Sequence, residues 1–169
     1  FKSRLLKIID FISDVYLNDA TGLLLEPFKL IHDLKMGYGT GNFMSYGMFK
    51  DISGDERTKR FLPAGVIFDF DLSKGLGFDE GRISESTKYS WFSSDSPGHP
   101  KESKTELNYE KDGAYSFIKS PRYNQKPVEV GSLARMLILG DRGFIDLLSR
   151  FGIWPSVGVR HLARAYECK

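Results

Sequence analysis

The chain has 169 residues, 24 basic against 22 acidic, with 41% hydrophobic and 14% aromatic side chains. That length suits one domain with a real core, able to bury roughly 70% of the surface its unfolded form exposes. The near-balanced charge of +2 excludes a dedicated nucleic-acid or membrane-surface binder, no apolar run is long enough to span a bilayer, and the single cysteine, Cys168, excludes an internal disulfide or a multi-cysteine metal site built within the chain.

The opening segment "FKSRLLKIIDFISDVYL" is amphipathic from its first residue, with Phe1, Leu5, Ile8, Ile12 and Val15 at helical spacing. It predicts a helix over residues 2–17, with Gly22 as a stop signal after "NDATG". A second short helical or irregular segment, "LLLEPFKLIHDLKMG", is interrupted at Pro27. Residues 37–49, rich in Gly and aromatics, are predicted to be extended with tight bends. A polar loop is expected over 51–59. Residues 61–72 alternate as a strand, with Val66, Phe68, Phe70 and Leu72 on one face and Asp69 and Asp71 on the other. These two extended runs predict a β-hairpin.

Residues 93–113 read as a long polar loop, of a length that is usually functional or pinned by a partner. "AYSFIK" reads as a strand, "GSLARMLIL" as a helix start and "FIDLLSRFG" as a short helix closed by Gly152. Pro155 and Ser156 introduce a last helix, with Ser156 as its N-cap. The expected class is α+β, with helices at both ends packed around a small antiparallel sheet. No cap precedes the first helix and no stop follows the last, so the chain is expected to be an excised piece of a longer polypeptide.

Candidate chemistry is sparse. "GYGTG" resembles a phosphate loop, but Met44 occupies the third glycine place of a dinucleotide fingerprint and no Lys-Ser/Thr follows. Glycine for tight backbone turns explains it better. Asp69 and Asp71 share a strand face without a third ligand nearby, which suits an exposed polar face. His32, His99 and His161 lack metal-ligand spacing with each other or with Cys168. His161, between arginines, reads as a surface or interface residue, and His99 as a histidine of the long loop. No nucleophile elbow or Ser-His-Asp order stands out. The residues describe a globular α+β module without a self-contained active site.

One stretch carries more. "YSFIKSPRYNQKPVEVGSLARML" closely resembles a signature of the nickel–iron hydrogenase large subunit, where a Tyr-Ser-Trp-like strand leads to Lys-x-Pro-Arg-Tyr and then Glu-Val-Gly-Pro-Leu-Ala-Arg. Phe117 stands for the usual Trp and Ser132 for the usual Pro, and Ser is expected to serve the helix's first turn by capping it. "GNFMSYGMF", "FLPAGVI", "ISESTKYSWF", "HPKESKTE" and "VGVRHLARAYE" resemble further family segments in the same order, with Ser103 where Gly is usual. The resemblance is collinear over nearly the whole chain.

The resemblance implies a part of a larger helical large-subunit fold. Residues 1–169 would be a central fragment lacking the N- and C-terminal Cys-x-x-Cys pairs that hold nickel and iron in the family. Cys168 has no matching partner and is not assigned as a ligand. No catalytic or metal residue is therefore assigned, and the isolated fragment is expected to be inactive and to bind no metal. The complete protein would reversibly cleave dihydrogen heterolytically, a thiolate serving as base, and pass electrons to a separate iron–sulfur small subunit. The family's His-Pro loop faces that subunit, which makes His99, then Lys119, Arg122 and Tyr123, the candidate residues of the small-subunit interface or of the cluster's surroundings. The structural alternative is that Pro121 and Pro127 shape a turn and Arg122 pairs with a nearby carboxylate. A non-catalytic relative, such as the complex I scaffold or electron-transfer subunit, is the functional alternative. Partners are expected to be the small subunit and the remainder of the large subunit, with no nucleic acid, no membrane span of its own, and self-association through exposed apolar surface. The compartment stays open.

Overall fold

The computed structural model describes residues 1–20, 22, 27–28, 30–31, 33–55, 60–73, 77–93, 98–151 and 154–168. Helix α1 runs Lys2–Phe11 and continues as a π-helical stretch, Ile12–Ala20, past the expected end at Leu17. None of the α1 residues is buried. Of the stripe read from the sequence, Leu5, Ile8 and Val15 are 44%, 55% and 42% exposed and Phe1 is fully exposed, while Ile12 is half-buried. Residues 23–26, 29 and 32 of "LLLEPFKLIHDLKMG", His32 among them, and the Gly152 stop lie outside the described residues.

Strands β1 (Phe43–Ser45), β2 (Met48–Asp55), β3 (Arg60–Leu62) and β4 (Gly65–Ile67) form two antiparallel pairs nested as one long hairpin, β2 with β3 and β1 with β4. The hairpin stands as expected, but its boundaries differ. Residues 51–55 belong to β2 rather than to a loop. The alternating run stops at Ile67, because Asp69 and Phe70 take left-handed backbone (φ 53° and 58°). That turn is held by the Asn42 side chain, whose Oδ1 accepts from Asp69 N at 3.0 Å, and by Gly41 O, which accepts from Phe70 N at 2.8 Å. The two aspartates therefore do not share a strand face.

Both faces of the β1–β4 pair are covered, which period-two reading could not anticipate. Phe43 and Ile67 point into one cluster with the helices, and their register neighbours Met44 and Val66 into a second with Ile83, Tyr123 and Val128. The helical cluster is built by α2 (Ser132–Leu139), α3 (Arg142–Phe151) and α4 (Val157–Glu167). It includes Leu133, Leu137, Phe144, Leu148, Val159 and Ala163, each 4% exposed or less.

Helix α2, read from the sequence only as a helix start, ends at Gly140 in the left-handed conformation. Ser132 does not cap its start. The cap position is Gly131, at φ +120° where a side chain is strained, and the Ser132 hydroxyl bonds Glu167 instead. Ser156 does cap α4, accepting from Val159 N at 3.3 Å.

A third ribbon joins β5 (Ile83–Ser86), β6 (Ser120–Tyr123) and β7 (Lys126–Pro127), all antiparallel. The strand expected at "AYSFIK" thus lies one step later, in "SPRY"; residue 116 makes only an isolated bridge to Ser90. The class is α+β, with three small antiparallel ribbons in place of one sheet.

Candidate functional site

Alternation along β6 sends its signature side chains to opposite faces. Tyr123 pairs with Ile83 on the core face and is 2% exposed. Its ring lies between Phe78 and Phe68, both at 6.2 Å, and its hydroxyl accepts from Asp79 N at 2.9 Å. It is a core residue with a satisfied polar tip.

Lys119 precedes β6 and reaches under the loop that carries His99. Its ammonium donates to Lys104 O (2.9 Å), Thr105 Oγ1 (3.0 Å) and Ser103 Oγ (3.3 Å). It also sits 3.8 Å from the Glu85 carboxylate and over the Phe92 ring. All three donors of the group are used. The loop is held further by Glu85 N donating to Gly98 O, and by Lys111, which donates to the carbonyls of Thr87 and Phe92 at 2.7 and 2.8 Å. An exposed ion pair, Lys101–Glu80, ties it to the turn before β5, and Lys101 lowers the Glu80 carboxyl below its ordinary range. The long polar loop is therefore pinned by its own chain. His99 is half-buried, its Nδ1 accepting from Lys101 N at 3.2 Å and its carbonyl from Glu102 N and Ser103 N, both at 2.9 Å.

Arg122 points the other way. Nη1 donates to Ser120 Oγ (2.7 Å) and to Pro121 O (3.0 Å), and no carboxylate pairs with it among the described residues. The expected structural pairing of Arg122 is thus absent there. It lines an open cleft of about 350 Å³ with Ser86, Tyr89, Ser90, Tyr115 and Ser116. Of the four candidates, Lys119 and His99 are joined through one loop, Tyr123 is in the core, and Arg122 faces the cleft.

The other half of the signature makes contacts that the sequence did not disclose. Glu129 takes a two-pronged ion pair from Arg160 on α4, Nε to Oε1 and Nη2 to Oε2, both at 2.7 Å. Arg160 Nη1 also donates to Gly37 O. Arg135 pairs in the same two-pronged way with Glu167, Nη2 to Oε2 at 2.7 Å, and Ser132 Oγ donates to that same oxygen at 2.6 Å. The Arg135 guanidinium, chiefly, and then the Ser132 hydroxyl hold the Glu167 carboxyl below the usual range against the cost of burial, and the Arg135 pKa is raised in turn. "EVGSLAR" and "VGVRHLARAYE" are therefore two halves of one lock. The available signal was charge complementarity between segments about thirty residues apart, which spacing alone cannot pair.

The model of the nickel-dependent hydrogenase family matches residues 1–169. The chain belongs to that family. Among its relatives, the periplasmic [NiFeSe] hydrogenase large subunit of Desulfomicrobium baculatum is 34% identical over 142 residues, covering 82% of this chain and 26% of the relative. The hydrogenase-2 large chain of Escherichia coli is 34% identical over 148 residues, covering 81% of this chain and 25% of the relative. The Ni-Fe-Se hydrogenase of Desulfovibrio vulgaris Hildenborough superposes with a TM-score of 0.74 at 31% identity, over 99% of this chain and 37% of that one. The chain thus spans about a quarter of the length of these curated relatives.

The residues present do not fit a nickel–iron centre. Among the described residues no group of three His, Cys, Asp or Glu is placed to hold a metal, and Cys168 is exposed without a second thiol in the sequence.

Proposed function

We propose that these 169 residues are the central part of the large subunit of a nickel–iron hydrogenase, which reversibly converts dihydrogen into protons and electrons and passes the electrons to an iron–sulfur small subunit. Nickel and iron would be held by cysteine pairs outside this stretch. The observation that carries the reading is the superposition on a hydrogenase over 99% of the chain at 31% identity. The relatives named above are hydrogenase large subunits, so the complex I-like alternative draws no support from them.

In this reading the chain works as scaffold and border. The Arg135–Glu167 pair fixes α2 against α4, and the Glu129–Arg160 pair fixes the segment leading into α2 against the same helix. Lys119 sets the loop that presents His99 toward the small subunit, Arg122 meets that subunit directly, and Tyr123 holds the ribbon to the core. The test is the full-length protein produced with its small subunit in a host able to insert nickel. Dihydrogen-dependent reduction of benzyl viologen and stoichiometric nickel are expected. A well-folded complex with neither would sink the proposal.

A further inference from the structure

We infer that the cleft at Arg122 is a docking site for an acidic side chain, an Asp or Glu, carried on a loop of the partner small subunit. This rests on the hydrogenase reading for who the partner is. The cleft lies on the face of the β5–β6 pair turned away from the core. Arg122 stands opposite Ser84, and Ser120 opposite Ser86, so all four share that face. The Ser84 hydroxyl is buried and has no hydrogen-bond partner among the described residues. Among the described residues the lining holds one charge, the guanidinium, and no carboxylate. Both hydrogens of Nη1 are spent on Ser120 and Pro121, which fixes the plane of the group. Nε and Nη2 have no partner among the described residues, and together they form the fork that grips a carboxylate through two parallel bonds.

The rim says what carries that carboxylate. Tyr89 and Tyr115 stack at 5.8 Å and are 50% and 72% exposed, and Ile118 beside them is 70% exposed. Tyrosines and serine hydroxyls around a central, desolvatable arginine, with Ile118 the one aliphatic side chain among the described lining residues, are the composition of an interface between separately folded proteins. The uncovered face of α1 is different. Leu5, Leu6, Ile8, Ile9 and Phe11 are the aliphatic and aromatic surface that continues a chain's own core. The two exposed surfaces therefore suit two occupants, the remainder of the large subunit on α1 and a separate polypeptide at the cleft.

The test uses the assembled full-length enzyme. A photo-crosslinking phenylalanine analogue at Ile118 should join a small-subunit peptide that contains Asp or Glu. Arg122→Gln should weaken large–small assembly by about tenfold or more and flatten its salt dependence, and Arg122→Lys should restore only part. Ser116→Trp, which fills the cleft with the guanidinium intact, should weaken assembly too. Crosslinks within the large subunit, or none, overturn the inference, as do Arg122→Gln and Ser116→Trp variants that assemble unchanged. The crosslink, made on an otherwise native chain, decides the matter if a variant misfolds. An assembled complex that crosslinks as expected but lacks nickel and dihydrogen activity would defeat the hydrogenase reading and leave the cleft standing.

Discussion

Glu167 accepts from both Arg135 and Ser132 while partly buried, and that combination ties stability to pH. Its carboxyl is held below the ordinary 4.5 in the folded chain. A depressed carboxyl contributes stability above its unfolded pKa and loses it as pH falls through the folded value. Urea midpoints should therefore drop on the acid side of the ordinary carboxylate range, and Glu167→Gln should flatten that acid limb. At neutral pH the same substitution should cost about 1–2 kcal/mol, because it leaves the half-buried Arg135 without its counter-charge. An acid limb unchanged by Glu167→Gln would show that other carboxylates carry it. Tyr123, read as a candidate interface residue, belongs to the core instead. Its neighbours Phe68, Phe78 and Ile83 come from distant parts of the chain, so nothing local marked it as buried.

At the scale of elements, Lys119 is the staple between β6 and the loop that holds His99. Lys119→Ala removes three donated bonds at once. Amide exchange over residues 98–107 should accelerate by about tenfold or more, with α2 and α4 unchanged. Uniform protection would mean that Lys111 and the Glu85–Gly98 bridge suffice. Helix packing has its own tight point at Gly158, where an added Cβ would lie 2.8 Å from the Phe28 ring. Gly158→Ala should destabilise by about 1–3 kcal/mol despite its better helix propensity, read as a lowered thermal midpoint. Element types were legible from pattern, as with α2, read as a helix start, and α4, capped by Ser156. Strand limits were not. β4 ends where Asn42, from another segment, clamps the Asp69–Phe70 turn, and β6 begins where β5 offers a partner.

For the whole molecule, the decisive feature is apolar surface left uncovered along α1. The 169-residue polypeptide should self-associate in light scattering at high concentration, and Leu5→Glu with Ile8→Glu should return it toward monomer. A clean monomer of the unmodified chain would contradict this. In the full-length large subunit proposed above, the same double substitution should instead lower the yield of folded protein, since that proposal puts the rest of the subunit against the stripe.

The sequence by itself determined the family, the α+β class, the hairpin and the last helix with its Ser156 cap. Each rests on short-range periodicity, on turn residues, or on a run of motifs kept in order. It also determined that one cysteine cannot build the metal centre. Only the tertiary structure decided that the β1–β4 pair separates two cores, that Glu129 and Arg135 lock onto Arg160 and Glu167, and that the neighbours Lys119, Arg122 and Tyr123 serve three different places. Those outcomes depend on which distant segments meet and on which face of a strand each side chain leaves, and neighbours in a strand leave by opposite faces. "KSPRY" is one motif in the sequence. In space it is a loop staple, a cleft-facing guanidinium and a core ring.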